Sequence, residues 1–402
     1  MSADPASSSA HDRRVAAVHA AVAAVMDPEL RRPIGELDMV RAVTVSADRA
    51  TVSIALTIVG CPAADRIERE VRAAAAGVPG IEEVDVEVGV MSPAERTALV
   101  ERLRGGTRRM PFGPDSLTRV IAITSGKGGV GKSTVTANLA VALAARGLAI
   151  GVIDADVHGF SIPALLGLVG DDGLPPQPTR VGDLMLPPVA FGVKAISIGM
   201  FLPPGAPAAV AWRGPMLHRT IQQFLTDVFF GDLDVLLIDM PPGTGDIAIT
   251  VGQLLPHAEV VVVTTPQAAA AEVAVRSGLL ARQTGQRVVG VIENMGPLTL
   301  PDGTSLDLFG HGGGEAVARA LTAAPAERSA DTDAPSAASP AVVEVWGSVP
   351  LSAALRAGGD QGVPLVVSSP DDPAARVLED IATRLSSRPR GLGTRRLPLT
   401  VT

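Results

Sequence analysis

The sequence predicts an α/β protein in which a doubly wound, mostly parallel sheet follows a small α+β domain. After about residue 117, short β-branched runs alternate with helical segments and glycine stops, which is the pattern of a parallel sheet covered by helices. One of these units joins a strand, a glycine-rich loop and a helix without interruption. The first hundred residues instead place a hairpin pattern between two helical segments, which indicates a separate α+β domain.

The strand–loop–helix unit has the composition of a phosphate-binding loop. A short β-branched run at 119–124, suited to a buried strand, precedes it, and a helix-forming segment at 137–146 follows it. Glycines let the backbone curl until its N–H groups converge on phosphate oxygens, where a Cβ would obstruct. Lys132 is then expected to reach the β/γ-phosphates of ATP, and the Ser133 hydroxyl to contact Mg²⁺. The residues expected to bind nucleotide are Gly126, Lys127, Gly128, Gly129, Val130, Gly131, Lys132, Ser133 and Thr134.

Lysine usage supports a functional loop over an incidental glycine-rich turn. The chain has 34 Lys and Arg residues, yet its only lysines are Lys127, Lys132 and Lys194. Two of the three lie in the same loop. An arginine cannot replace a compact ammonium group that must sit among phosphates, so these lysines indicate nucleotide chemistry.

Carboxylates follow two later apolar strands. The run at 149–153 leads into Asp154 and Asp156, and the run at 234–238 ends in Asp239, in the manner of a Walker B strand. The carboxyl ends of parallel strands share one edge of a sheet, where Mg²⁺ and the attacking water must be arranged. We therefore expect Asp154 and Asp239 to be magnesium ligands together with Ser133.

Two further positions are expected to contact the nucleotide. Gly243 follows two prolines that stiffen the loop after Asp239, and its N–H can touch a γ-phosphate. Asn294 follows the strand predicted at 288–292, and its amide can pair with a purine edge.

Length and composition set the remaining expectations. The 402 residues are 47% apolar and suggest two or three domains. The single cysteine excludes an intramolecular disulfide and fits a reducing cytoplasm. A net charge of −8 argues against nucleic acid as a partner, and no apolar run approaches the ~20 residues of a membrane-spanning helix.

The composition also predicts the domain layout. We expect a disordered N-terminus at 1–12, an α+β domain at 13–105, a linker at 106–116 and the nucleotide-binding domain at 117–387. An Ala/Ser/Pro/Asp-rich stretch predicts a disordered insertion at 321–340 inside the last domain. A basic tail is expected at 388–402.

Within the α+β domain we expect a helix at 13–25, a hairpin from 40–45 and 51–59, a helix at 64–76 and a strand at 81–90. Cys61 lies between the second strand and the following helix. A helix N-terminus lowers the pKa of a thiol and favours metal ligation, whereas a buried structural cysteine is the common alternative. The residues alone leave both interpretations open.

Three motifs of this domain resemble the MIP18-like family, once called DUF59, which is associated with iron–sulfur cluster assembly. They are Asp-Pro-Glu-Leu at 27–30, Gly-Glu-Leu-Asp-Met-Val at 35–40 and Leu-Thr-x-x-Gly-Cys-Pro at 56–62. The resemblance implies that Cys61 is a cluster ligand.

The second domain resembles the deviant-Walker-A P-loop ATPases, and within them the Mrp/NBP35 branch of iron–sulfur cluster carriers. The motifs that carry the resemblance lie at 126–133, 154–163, 238–246, 291–295, 309–315 and 349–351. The resemblance implies a slow, Mg²⁺-dependent ATPase that acts as a homodimer and serves iron–sulfur client or assembly proteins. It further implies catalytic roles for Lys132, for Lys127, which reaches the partner's nucleotide, and for Asp156, which orients the hydrolytic water.

The chain departs from this branch at the cluster site. The family places Cys-x-x-Cys shortly after the Glu-Asn-Met segment, but residues 296–303 read Gly-Pro-Leu-Thr-Leu-Pro-Asp-Gly. Iron–sulfur clusters usually need four thiolates, and a dimer of this chain offers two. Two alternatives therefore stay open: a MinD/ParA-like positioning ATPase that binds membrane or DNA under nucleotide control, and a regulatory switch without a cluster. The segment at 241–246 and the N-terminal domain favour the Mrp branch.

Overall fold

The protein is represented by a computed structural model, which describes residues 5–58, 63–104, 110–157, 159–170, 172–202, 214–300, 302–324 and 342–387. The chain forms two compact units. The first comprises Met1–Arg108 with two later segments, Pro178–Pro187 and Asp227–Gly231. The second comprises Arg109–Gln177, Pro188–Thr226 and Asp232–Thr402.

The elements are numbered along the chain. The helices are α1 (Pro5–Ala23), α2 (Ala64–Ala76), α3 (Pro93–Arg104), α4 (Lys132–Ala145), α5 (Ile162–Leu165), α6 (Gly214–Thr226), α7 (Asp246–Leu254), α8 (Ala268–Gln283), α9 (Gly313–Ala323), α10 (Ala353–Gln361), α11 (Leu365–Ser368) and α12 (Pro373–Ser386), with a 3₁₀ turn at Ile198–Phe201. The strands are β1 (Val40–Ser46), β2 (Arg49–Leu56), β3 (Glu83–Val90), β4 (Arg119–Ser125), β5 (Ile150–Asp154), β6 (Thr179–Val181), β7 (Leu184–Leu186), β8 (Val189–Ala190), β9 (Val193–Ser197), β10 (Val235–Asp239), β11 (Glu259–Thr264), β12 (Arg287–Gly296), β13 (Leu298–Thr299), β14 (Ser305–Leu306) and β15 (Val345–Pro350).

The first unit contains a three-stranded sheet in the order β1-β2-β3. The β1–β2 hairpin is antiparallel, and β3 pairs parallel to β2 after the α2 crossover. Helix α2 buries Ile67, Val71 and Ala75, which recur every four residues and so form one apolar stripe. The hairpin, α2 and β3 form where the sequence pattern predicts them.

A second hairpin completes the core of this unit. Strands β6 and β7 pair antiparallel, and Val181, Leu184 and Leu186 are buried in the same apolar cluster as the β2 side chains. The Thr179 hydroxyl donates to Glu29 Oε1 at 2.9 Å. The first unit therefore takes part of its core from chain about seventy residues beyond its own end.

The structure differs from the sequence expectations at several boundaries. Helix α1 begins at Pro5, so part of the stretch expected to be disordered at 1–12 is helical. Helix α3 was not predicted. The insertion expected at 321–340 begins too early, because Leu321 is buried and α9 continues to Ala323. Residues 325–341, the tail at 388–402 and part of the linker, 105–109, lie outside the described residues.

The second unit is built on an eight-stranded sheet in the order β15-β12-β11-β4-β10-β5-β9-β8. Neighbouring strands are parallel except for β8, which pairs antiparallel with β9. Ile121 and Ile123 of β4 join the apolar cluster of α4 and α12, while the alternate residues point to the other side of the sheet. This arrangement confirms the doubly wound, mostly parallel fold.

The composition of helix α4 accounts for its buried position. Its residues from Thr136 to Leu143 are all buried and most of them are apolar, as is typical of a helix that lies inside a core. Among the described residues, no helix is both long and apolar enough to cross a membrane.

Candidate nucleotide site

Three strand ends meet at one edge of the large sheet. Strand β10 lies between β4 and β5, and Asp239 at its end is in register with Ile123 of β4 and Asp154 of β5. The loop after β4 therefore lies beside the two carboxylates that end the neighbouring strands.

Glycines shape this loop. Gly129 and Gly131 both have φ of 79°, a left-handed conformation that glycine adopts without steric cost. A Cβ at Gly126 would lie 2.2 Å from the carbonyl carbon of Val273 in α8. Helix α4 begins directly after the loop at Lys132, so the positive end of its dipole faces the loop. The loop can therefore receive an anion such as a nucleotide phosphate.

A buried polar cluster connects the loop to Asp239. Lys132 Nζ lies 2.6 Å from Asp239 Oδ2, and Ser133 Oγ donates to the same oxygen at 2.6 Å. Asp239 is fully buried, and Lys132 is 5% exposed. Thr136, which the sequence analysis did not identify, donates to Asp239 Oδ1 at 2.8 Å. Its spacing in the sequence could have identified it, because Thr136 lies one helical turn after Lys132 and therefore on the same face of α4.

The cluster fits a magnesium ion. Mg²⁺ prefers oxygen ligands, and the Ser133 hydroxyl and the Asp239 carboxylate bring two such oxygens together. Burial, followed by the neighbouring Asp239 carboxylate, raises the pKa of Asp154 to about 8. Because repulsion from Asp239 is one cause of the shift, a cation bound at Asp239 would lower the pKa of Asp154.

Asp154 lies beside Asp239 as expected and is hydrogen-bonded to the loop that follows β5. Its carboxylate accepts four hydrogen bonds, from the N–H groups of Asp156, Ser161 and Ile162 and from the hydroxyl of Ser197. Oδ2 accepts three of these hydrogen bonds and Oδ1 accepts one, so Oδ1 keeps an acceptor site. Asp154 therefore organises the loop after β5, and its role as a magnesium ligand through Oδ1 stays a prediction.

Two loop residues expected near the γ-phosphate are also hydrogen-bonded. Asp156 Oδ1 accepts from the N–H of Gly159 at 3.0 Å, within the loop that follows β5. The N–H of Gly243 donates to the Ser125 carbonyl at 2.8 Å. A contact from Gly243 to a phosphate therefore requires this hydrogen bond to break first.

Lys127 and Lys132, the two lysines of the loop, contact different residues. Lys127 Nζ donates to Gln267 Oε1 at 3.0 Å. Lys132 instead contacts Asp239, so the two lysines of the loop have separate partners.

A cavity of about 390 Å³ lies next to the loop. Asn294 lines it, and Asn294 Nδ2 donates to the carbonyl of Val130 at 2.9 Å. The amide that was expected to read a purine edge therefore also anchors the phosphate loop. The other lining residues are mostly apolar and include Thr134, Ala164, Leu165, Met295, Pro350, Leu351 and Leu355. A mostly apolar cavity with a few polar groups suits a nucleobase.

The segment at the family's cysteine position forms a small hairpin. Strands β13 and β14 pair antiparallel. The turn between them is closed by Leu300 N–H to Thr304 O and by Gly303 N–H to Leu300 O, each at 2.9 Å. Within the described residues, no group of three or more His, Cys, Asp or Glu side chains could hold a metal ion. Cys61, the predicted cluster ligand, lies outside the described residues.

Two family profiles match the chain. Residues 116–386 match the profile of the NUBPL iron-transfer P-loop NTPase family. Residues 15–88 match the profile of an iron–sulfur cluster assembly protein.

Curated relatives and a solved structure are similar to the chain. The iron-sulfur cluster carrier protein of Mycobacterium tuberculosis is 54% identical over 381 residues, 94% of each chain. That of Synechocystis sp. is 39% identical over 90% of this chain and 94% of its own. A nucleotide-binding protein from Archaeoglobus fulgidus, solved in complex with ADP, is 33% identical over 65% of this chain and 95% of its own, with a TM-score of 0.45. The chain belongs to the NUBPL-type family of iron-transfer P-loop NTPases, the iron–sulfur cluster carrier proteins.

Proposed function

We propose that the chain is a homodimeric ATPase whose nucleotide cycle controls the handling of an iron–sulfur cluster. The observation that carries the ATPase part is the buried pair of Lys132 and Asp239 at the end of the phosphate loop. Burying two charges has a large desolvation cost, and an apolar pair would serve the core as well. The pair therefore has a function in binding, which we assign to ATP and Mg²⁺.

Each residue of the cluster has a role in this proposal. When ATP binds, the ammonium group of Lys132 leaves the Asp239 carboxylate and contacts the β/γ-phosphates. Ser133 and Asp239, with Asp154 at the neighbouring strand end, would hold Mg²⁺, which would supply positive charge to the phosphates during hydrolysis. The adenine base occupies the cavity lined by Asn294. The measurement of phosphate release from MgATP tests this proposal.

Hydrolysis itself needs two further residues. Asp156 orients the water whose oxygen attacks the γ-phosphorus, while the bond from that phosphorus to the bridging oxygen of ADP breaks. Lys127 reaches the nucleotide of the partner subunit and stabilises the charge that develops there. An isolated subunit therefore hydrolyses ATP slowly, because its site is incomplete.

The cargo in this proposal is an iron–sulfur cluster for client proteins in the cytoplasm. The named relatives are cluster carriers, and the single cysteine suits a reducing compartment. The hairpin at β13–β14 has no thiolate, so Cys61 is the residue of this chain that binds the cluster. Small thiols or a partner protein provide the remaining ligands.

Replacing Cys61 with serine is expected to remove all iron that the chain takes up during anaerobic reconstitution with iron and sulfide. The unchanged chain should take up less than one cluster per dimer, because two thiolates are half of the usual ligand set. ATP hydrolysis should be the same in both, since the phosphate loop belongs to the other unit. Iron content and absorbance are the readouts. An equal, stable iron content in the serine variant would contradict Cys61 as the ligand.

A further inference from the structure

We propose that Gln267 holds the side chain of Lys127 within its own subunit and thereby sets how readily Lys127 reaches the partner's nucleotide. This inference rests on the proposed role of Lys127 between subunits. Gln267 acts through Lys127 and is therefore a positioning residue. The direct observation is the hydrogen bond from Lys127 Nζ to Gln267 Oε1 at 3.0 Å.

The sheet topology brings the two residues together. Strands β4 and β11 are parallel neighbours, and Ser125 near the end of one is in register with Val263 of the other. Lys127 follows Ser125 by two residues, and Gln267 follows Val263 by four. Both side chains therefore emerge from the same edge of the sheet, and their contact follows from the fold.

Helix α8, which begins next to Gln267, packs closely against the chain next to Lys127. The backbone of α8 at Val273 and Ala274 packs so closely on Gly126 that a Cβ there would lie 2.2 Å from it. In addition, Ser277 Oγ of α8 lies 2.8 Å from Thr124 Oγ1 of β4. Since α8 packs against the start of the loop, a change of the Lys127 side-chain rotamer releases Lys127 from Gln267 with the least displacement of the backbone.

The chemistry of the contact makes it reversible. Gln267 is the N-cap residue of α8, yet its side chain makes no capping hydrogen bond, which leaves its amide oxygen for Lys127. An amide oxygen is neutral and binds an ammonium group less tightly than a carboxylate does. The N-terminus of α8 carries partial positive charge and disfavours the ammonium group. Lys127 is thus held without its charge being neutralised, and a phosphate can compete for it.

Acylation of lysine by a small amine-reactive ester tests the contact directly in the nucleotide-free chain. Lys132 and Lys194 are each 5% exposed, so Lys127 is the most accessible of the three lysines. We expect Gln267→Met, which has similar length but no amide, to raise the acylation rate of Lys127 by up to about tenfold. Gln267→Glu should lower the rate, because a carboxylate holds the ammonium group more tightly. Peptide mass spectrometry measures both rates.

ATP turnover measured over a range of protein concentrations tests whether Gln267 limits the contact of Lys127 with the partner's nucleotide. Gln267→Met should reach half-maximal turnover at a lower protein concentration than the unchanged chain, and Gln267→Glu at a higher one. Nucleotide affinity should stay the same in both variants, since Lys132 is intact. The combination of Gln267→Met with Lys127→Ala should behave as Lys127→Ala alone.

The two measurements separate the possible failures. Equal acylation rates in the three chains would overturn the inference, even if the chain hydrolyses ATP. Turnover that shifts in the same direction in both variants would overturn it as well. The expected order of acylation rates without any ATP hydrolysis would instead contradict the proposed function.

Discussion

Replacing Lys132 with alanine is expected to abolish ATP hydrolysis and to weaken nucleotide binding by about 10- to 100-fold. The variant loses the ammonium group that lies 2.6 Å from Asp239 at the end of the phosphate loop and that we assign to the β/γ-phosphates. Loss of one such charged donor lowers turnover by roughly 100- to 1,000-fold in comparable sites. A fluorescent nucleotide measures affinity, and phosphate release measures turnover.

Lys127→Ala is the matched control, because it removes a second lysine from the same loop. Lys127 contacts Gln267 rather than Asp239, so this variant should keep its nucleotide affinity and lose mainly hydrolysis. The Lys132→Gln variant controls for folding, because it retains a donor that can pair with the buried Asp239 carboxylate. Equal losses of affinity in the two alanine variants would contradict the separate roles.

Replacing Val181 with aspartate is expected to unfold the first unit. Val181 lies on β6 and is fully buried in the cluster that contains the β2 side chains. An unpaired carboxylate in such a core costs several kcal/mol, which is comparable to the total stability of about 5–15 kcal/mol of a typical domain. Hydrogen exchange read by mass spectrometry should show loss of protection in β2 and retained protection in α4.

Arg180→Asp provides the neighbouring control. Arg180 precedes Val181 on the same strand but is exposed, so the same new charge should leave the protection of β2 unchanged. Equal protection of β2 in the Val181 and Arg180 variants would show that the second hairpin contributes nothing to the first unit.

The sequence was most informative where local pattern and chemistry coincide. The strand before the phosphate loop, the helix after it and the strand that ends in Asp239 were predictable, because each is a largely apolar segment next to a residue type expected at a nucleotide site. The closeness of Asp154 and Asp239 followed from their places at the carboxyl ends of parallel strands.

The contacts between distant segments were not predictable in this way. Nothing in the three-residue strand β6 indicates that Val181 packs with residues of β2. The sequence likewise showed an acidic residue at 154, but only the structure shows that four donors occupy it. Gln267 follows a proline in an ordinary strand-to-helix connection, and its importance appears only in the contact with Lys127.

Release of phosphate from MgATP by the purified full chain is the most direct test of the account. We expect slow release that rises more steeply than the protein concentration, because each site needs Lys127 of the partner subunit. Release should stop when EDTA removes Mg²⁺ and in the Lys132→Ala variant, while Arg180→Asp should behave like the unchanged chain. Release that persists in Lys132→Ala, or its complete absence from the unchanged chain at every concentration, would contradict the proposed ATPase.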